Sequence, residues 1–202
     1  MSGLLVNLLR GASASGTSVA APPPPPGWYL GPSSAGRSTA VLASGGAFIG
    51  GGSWLFVAAE SMPIDQIAWE VTGGGDASSV ITVGLYRPRS PGSLTMDLTV
   101  KTAAVQATAI AEKTATVAAT LARGWYAAIA EATGHSATAP TVRITSGVAT
   151  GPYVNSTDLL AQSRGGITPQ QLPNAVGLPA SFALDRSSVN LGHGIVIGVR
   201  AA

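Results

Sequence analysis

"SVITVGLYRPRSPGSLTMDLTVK", residues 79–101, reads as two strands joined by a turn. In its first half Ile81, Val83 and Leu85 alternate with Thr82, Gly84 and Tyr86. Successive side chains of a strand point to opposite faces, so this period of two gathers the three aliphatics on one face. In the second half Leu94, Met96, Leu98 and Val100 fall on one side. Between them "PRSPGS" (88–93) holds two prolines and a glycine, residues that interrupt a ladder and favour tight turns.

The same grammar runs outward in both directions. "WLFVAAE" (54–60) is a short apolar run, and "IDQIAWEVT" (64–72) sets Ile64, Ile67, Trp69 and Val71 on one face, with an irregularity near Gln66. "ATVAATL" (115–121), "GWYAAIAEA" (124–132) and "TVRIT" (141–145) follow. Residues 102–121 are alanine-rich enough to suggest a helix, but the Thr and Val content and the alternation in "TATVAATL" favour strands. "GWYAAIAEA" puts Trp125, Ala127, Ile129 and Glu131 on one face and Tyr126, Ala128 and Ala130 on the other, the pattern of a strand buried on both sides. "GGGD" (73–76), "ARG" (122–124) and "TGHSATAP" (133–140) punctuate the runs. Strands spaced by turns in this way predict a mainly β fold, an antiparallel β-sandwich or jelly roll. Residues 147–192 are rich in Gly and Pro and read as one long loop, of the kind that is functional or bound to something. Residues 193–200 are the expected final strand.

Ahead of this body, 28–202, lies an extended N-terminal arm, 1–27. Its tip, "MSGLLVNLLRG", places Leu4, Leu5, Leu8 and Leu9 on one face of a short helix, with Ser2 as cap and Gly11 as stop. Small, flexible residues fill 12–21. Pro22, Pro23, Pro24, Pro25 and Pro26 then form a stiff polyproline II spacer. A sticky tip, a flexible piece and a rod make a tether, and these leucines and prolines are the expected anchor.

Composition narrows the function. Only 10% of residues are charged, against about 25% in an ordinary globular domain. The 11 basic residues are scattered, so there is no Lys/Arg stripe for nucleic acid. A surface this poor in charge and rich in Ala, Gly and Thr suits an assembly component with close subunit contacts, a trimer first. Cysteine is absent, which excludes disulfides and thiolate metal sites. Ser38 to Ala59 carries no charge and is long enough to span a bilayer, but "SGG" and "GGGS" interrupt it, and no membrane role is expected. The first residues mimic a signal peptide, yet Asn7 breaks the apolar run and no basic leader precedes it.

Three landmarks carry a resemblance: "PIDQIAWEVT", "VITVGLYRPRSPGSL" and "LARGWYAAIAE" (Leu121 to Glu131), followed by the loop "QQLPNAVGLP". Residues 28–202 resemble the β-sandwich domain of tailed-bacteriophage virion proteins such as tail fibres, baseplate-associated proteins and head fibres. The resemblance implies a structural, often trimeric, virion component whose partners are other virion proteins. It implies no catalytic residues.

The residues themselves offer little chemistry. His135 and His193 lack metal-ligating neighbours at the required spacing. The nine carboxylates are dispersed, and Asp65 and Glu70, five apart, fall on opposite faces of a regular strand. Asp76 lacks the alternating acidic ligands of a calcium loop and reads as part of a turn. "NST" at Asn155 matches a glycosylation acceptor, and "GGAFIGGG" has the wrong spacing for a dinucleotide fingerprint. No enzyme and no cofactor are expected. Trp69 and Trp125 lie in strands and read as core. Trp28, Tyr29 and Tyr153 remain as aromatics able to meet another subunit or to stack on the sugar rings of a host surface glycan, which is the alternative function.

Overall fold

A computed structural model of the chain describes residues 26–30, 36–41, 50–146, 177–183 and 193–202. These hold β1 (Gly27–Leu30), β2 (Gly36–Val41), β3 (Gly50–Gly73), β4 (Val80–Pro88), β5 (Thr95–Lys101) and β6 (Val105–Gln106). β7 (Ala111–Thr133), β8 (Thr141–Ser146), β9 (Ser181–Ala183), β10 (His193–Ile195) and β11 (Ile197–Ala201) complete the set. The fold is mainly β and antiparallel, with no helix among the described residues. No helix is therefore long and apolar enough to cross a membrane there, and residues 50–59 belong to β3. Leu4, Leu5, Leu8, Leu9 and Pro22 to Pro25 lie outside the described residues, as does Tyr153.

The hydrogen-bonded path runs β1-β11-β3-β7-β4-β5-β9, and β8 joins β3 while also pairing β2 and β10. Its backbone is the β3–β7 ribbon. The sequence reads each of these strands as two, and the structure joins the halves. The reason is a bulge. Val57 faces Gly124 and Ser61 faces Ala122, so Ala58, Ala59 and Glu60 stand opposite Arg123 alone. Extra residues in one strand bend a ribbon without ending it. "ARG" is thus the inner side of a bend, not a turn. Gly124 sits there at φ +139°, a conformation that side chains disfavour. The bend also changes which residues point inward. Ala115, Val117 and Leu121 enter the main core before it, and Tyr126, Ala128 and Ala130 after it.

That main core takes Ile81, Val83 and Leu85 from β4 and Ile197 and Val199 from β11. It also takes Ile64, Ile67, Trp69 and Val71 from β3, all at most 3% exposed. The irregularity expected near Gln66 is present: Ile64 pairs Ala119 and Gln66 pairs Thr116, so Asp65 alone stands opposite Val117 and Ala118, while against β11 it is the extra residue between Gln66↔Arg200 and Ile64↔Ala201. The opposite face of β4 and β7 carries a smaller cluster of Tyr86, Met96, Ala127, Ile129 and Leu178. The strand around Tyr126 is therefore covered on both faces, as its alternation predicts. Val100 does not follow Leu94, Met96 and Leu98 to one side. Leu85 pairs Val100 while Tyr86 pairs Leu98, and the extra Thr99 turns Val100 into the main core. Trp125 is a correction as well. It faces Phe56 at the bend and packs only on the margin of the small cluster, so its indole is half-buried.

Two further readings change. Within 147–192, Ser181–Ala183 form a strand on β5, with Met96 opposite Phe182. The final strand divides at Val196, whose N–H goes to the Arg143 carbonyl at 3.0 Å, so β10 pairs β8 and β11 pairs β3.

The turns are braced by one carboxylate. Asp76 accepts the backbone N–H groups of Ser136 (2.7 Å), Ala137 (2.8 Å) and Thr138 (3.0 Å), tying "GGGD" to "TGHSATAP". These bonds, the Ala137 one foremost, lower its pKa to about 2. A depressed carboxylate stabilises the fold above its unfolded value and loses that contribution as pH falls through the folded value. Asp76→Asn is expected to flatten the stability-versus-pH profile between about pH 4 and pH 2. Urea midpoints measured across that interval check it, and an unchanged slope would show that the clamp carries no weight.

Candidate functional site

The site grows from the edge where the arm meets the body. β1 starts at Gly27, directly after Pro26, and pairs β11 from Gly27↔Ala201 to Leu30↔Gly198. β11 lies in turn on β3, with Gly198 opposite Ala68. Ile197, Val199 and Ala201 point into the core, so Gly198 and Arg200 face outward. Trp28 pairs Arg200 and shares that outer face.

The face has a low floor and polar walls. Gly198 and Ala68 are too small to fill the space above them. The result is an open recess of about 270 Å³ lined also by Trp28, Glu70, Glu112 and Arg143. Trp28 is 43% exposed. The Arg200 guanidinium carbon lies 6.0 Å from its ring centroid, at the limit of a cation–π contact. Arg200 also makes a bidentate bridge to Asp65 at 2.7 and 2.6 Å. Arg143 does the same to Glu70 at 2.9 and 2.7 Å.

The sequence places Asp65 and Glu70 on opposite strand faces, and the bulge at Asp65 corrects this. One residue is absorbed there, and Asp65 reaches the solvent-facing Arg200. The Arg200 hydrogen bonds hold the Asp65 carboxyl below its ordinary range. A carboxylate held ionised by a guanidinium is a poor proton donor. These groups are suited to hydrogen bonding around the exposed indole.

Of the aromatics singled out in the sequence, Trp28 is brought to this recess, and Tyr29 is described in its backbone only, opposite Val199. Pro26 is exposed at the arm's exit. His135 lies in the turn clamped by Asp76, partly buried, with neither ring nitrogen hydrogen-bonded. Among the described residues no group of three His, Asp or Glu could hold a metal ion. Sequence reasoning missed Ala68, Gly198, Glu70 and Arg143 as recess residues. Their only signal was small or polar residues on one face of three strands, β3, β8 and β11, and the pairing of those strands was needed to bring them together. No family model, no curated protein and no solved structure matches this chain.

Proposed function

We propose that the chain is a non-enzymatic structural component of a phage-like virion. Its N-terminal arm docks on another virion protein, and its body, a β-sandwich in this reading, projects or forms a homotrimer. The observation that carries the proposal is the attachment of the arm. β1 begins at Gly27, one residue after the last proline of the run, and pairs β11 at the end of the strand path. As polyproline II, a run of five prolines would extend about 15 Å, enough to hold a docked tip clear of the body. The low charge and small-residue surface support close subunit contacts.

A second reading, recognition of a host surface glycan, is favoured by the exposed Trp28 beside its paired carboxylates. Saccharides offer an apolar ring face to an indole and hydroxyls to such polar groups.

One experiment separates the two. A chain lacking residues 1–26 keeps β1, and it is expected to fold but to be left out of assembled particles. Trp28→Ala in the full chain is expected to enter particles normally. Normal incorporation of the truncated chain would refute the tether. Loss of particle attachment to cells with Trp28→Ala, incorporation being intact, would move the glycan reading ahead.

A further inference from the structure

A second recess lies at the bend of the β3–β7 ribbon, away from Trp28. It has a volume of about 680 Å³ and is lined by Arg87, Arg89, Asp97, Arg123, Gly124 and Trp125, with the Ser90 and Thr99 hydroxyl side chains. That is within the roughly 300–1,000 Å³ range of small-molecule sites. The strand pairing explains its position. Tyr86, opposite Ala127, is the last β4 residue paired with β7, so Arg87 and Arg89 run on beyond the ladder beside the bend.

Its charges are unevenly satisfied. Arg89 holds Asp97 with two bonds, at 3.0 and 2.8 Å. Arg143 and Arg200 are matched to Glu70 and Asp65 in the same bidentate way. Arg87 is different. Among the described residues it hydrogen-bonds the Arg123 carbonyl, at 3.3 Å, and pairs with no carboxylate. A Cβ built on Gly124 would lie 3.9 Å from Arg87 Nε and Nη2, so the glycine leaves the space before the guanidinium open. Trp125 shares the lining with this cation, and a second ring packs on Trp125 from outside it. Phe56, 46% exposed, meets Trp125 at a centroid distance of 5.0 Å and an angle of 49°.

We infer that this recess binds an acidic saccharide, a sugar ring bearing a carboxylate, with the carboxylate on Arg87 and the ring's apolar face against Trp125 and Phe56. A planar guanidinium matches a carboxylate in two parallel hydrogen bonds. The aromatic pair takes the C–H face of the pyranose, and Ser90 and Thr99 supply partners for its hydroxyls. The inference is independent of the arm and of the Trp28 recess.

The test uses the full chain and a galacturonic acid trisaccharide, with the neutral galactose trisaccharide as comparison, followed by calorimetry and tryptophan fluorescence. The acidic sugar is expected to bind and to weaken as salt is raised, because the contact is exposed to solvent. Arg87→Gln is expected to weaken it about tenfold to a hundredfold, in keeping with a charged hydrogen-bond pair, while thermal unfolding stays unchanged. Arg87→Lys is expected to recover part of the loss. No binding at millimolar trisaccharide, equal binding of the neutral sugar, or an Arg87→Gln chain that binds normally would each overturn the inference.

Discussion

Tyr86→Ala is expected to cost about 3–5 kcal/mol, the range for removing a buried aromatic ring from a core. Tyr86 is fully buried between Met96, Ala127, Ile129 and Leu178. Its ring meets Phe182 edge-on at 4.9 Å, and its hydroxyl donates to the Pro179 carbonyl at 2.9 Å. Burial, together with the nearby Glu131 charge, pushes the phenol far above its ordinary pKa, so it stays a neutral donor. Truncation therefore opens a cavity and strands a carbonyl. It also removes what residues 177–183 rest on. Leu98 donates its N–H to Ala180 at 2.8 Å, and that amide is expected to exchange with solvent far faster in the variant. Tyr86→Phe keeps the ring and loses one hydrogen bond, at about 1 kcal/mol. Urea unfolding of the two variants checks the pair of values. Equal losses would mean that the hydroxyl, and not the packing, holds the segment.

Gly134→Ala is expected to cost about 2–5 kcal/mol, from two sources that a second variant separates. Gly134 has φ +75°, which costs an L-residue about 1–2 kcal/mol. A Cβ there would also land on the Ser78 carbonyl oxygen, which belongs to the backbone and cannot swing aside. The Gly134 carbonyl accepts the Ser78 hydroxyl, and Asp76 braces the residues that follow, so the turn has little room to move. Gly92 has nearly the same conformation, φ +77°, with nothing within 4 Å of an added Cβ. Gly92→Ala is therefore expected to show the conformational cost alone. If the two variants lose the same stability in urea, the close approach to Ser78 is not a constraint.

The strands around Ile81, Trp69 and Tyr126 were legible because one or both of their faces are buried, and burial writes a period of two into the sequence. The joins between strands were less legible. Gly124 and Gly92 look alike in sequence, yet one lies inside a bent ribbon and the other in a tight turn. Only the partner strand, with Ala58 to Glu60 opposite Arg123, decides which. The one-residue slips at Asp65 and Thr99 were hidden for the same reason, although the disturbed spacing near Gln66 announced the first. Trp125 shows the limit of alternation. Parity assigned it to the right face, but the cover on that face ends before the bend. Trp28 was recognisable as an aromatic at a boundary. The floor beneath it came from Ala68 and Gly198, which are more than a hundred residues apart.

The order of strands at the arm's edge also sets a path for mechanical load. Tension applied to residues 1–26 enters the body at Gly27, crosses the four paired positions of β1 to β11, and passes from β11 into β3. There it meets a strand of 24 residues tied along most of its length to β7, which spreads the force over many hydrogen bonds. β4, β5 and β9 hang from the far side of β7 and lie off this line. A body pulled through residues 1–26 thus keeps β5 and β9 farthest from the loaded ribbon, while the Trp28 recess sits on the stressed seam.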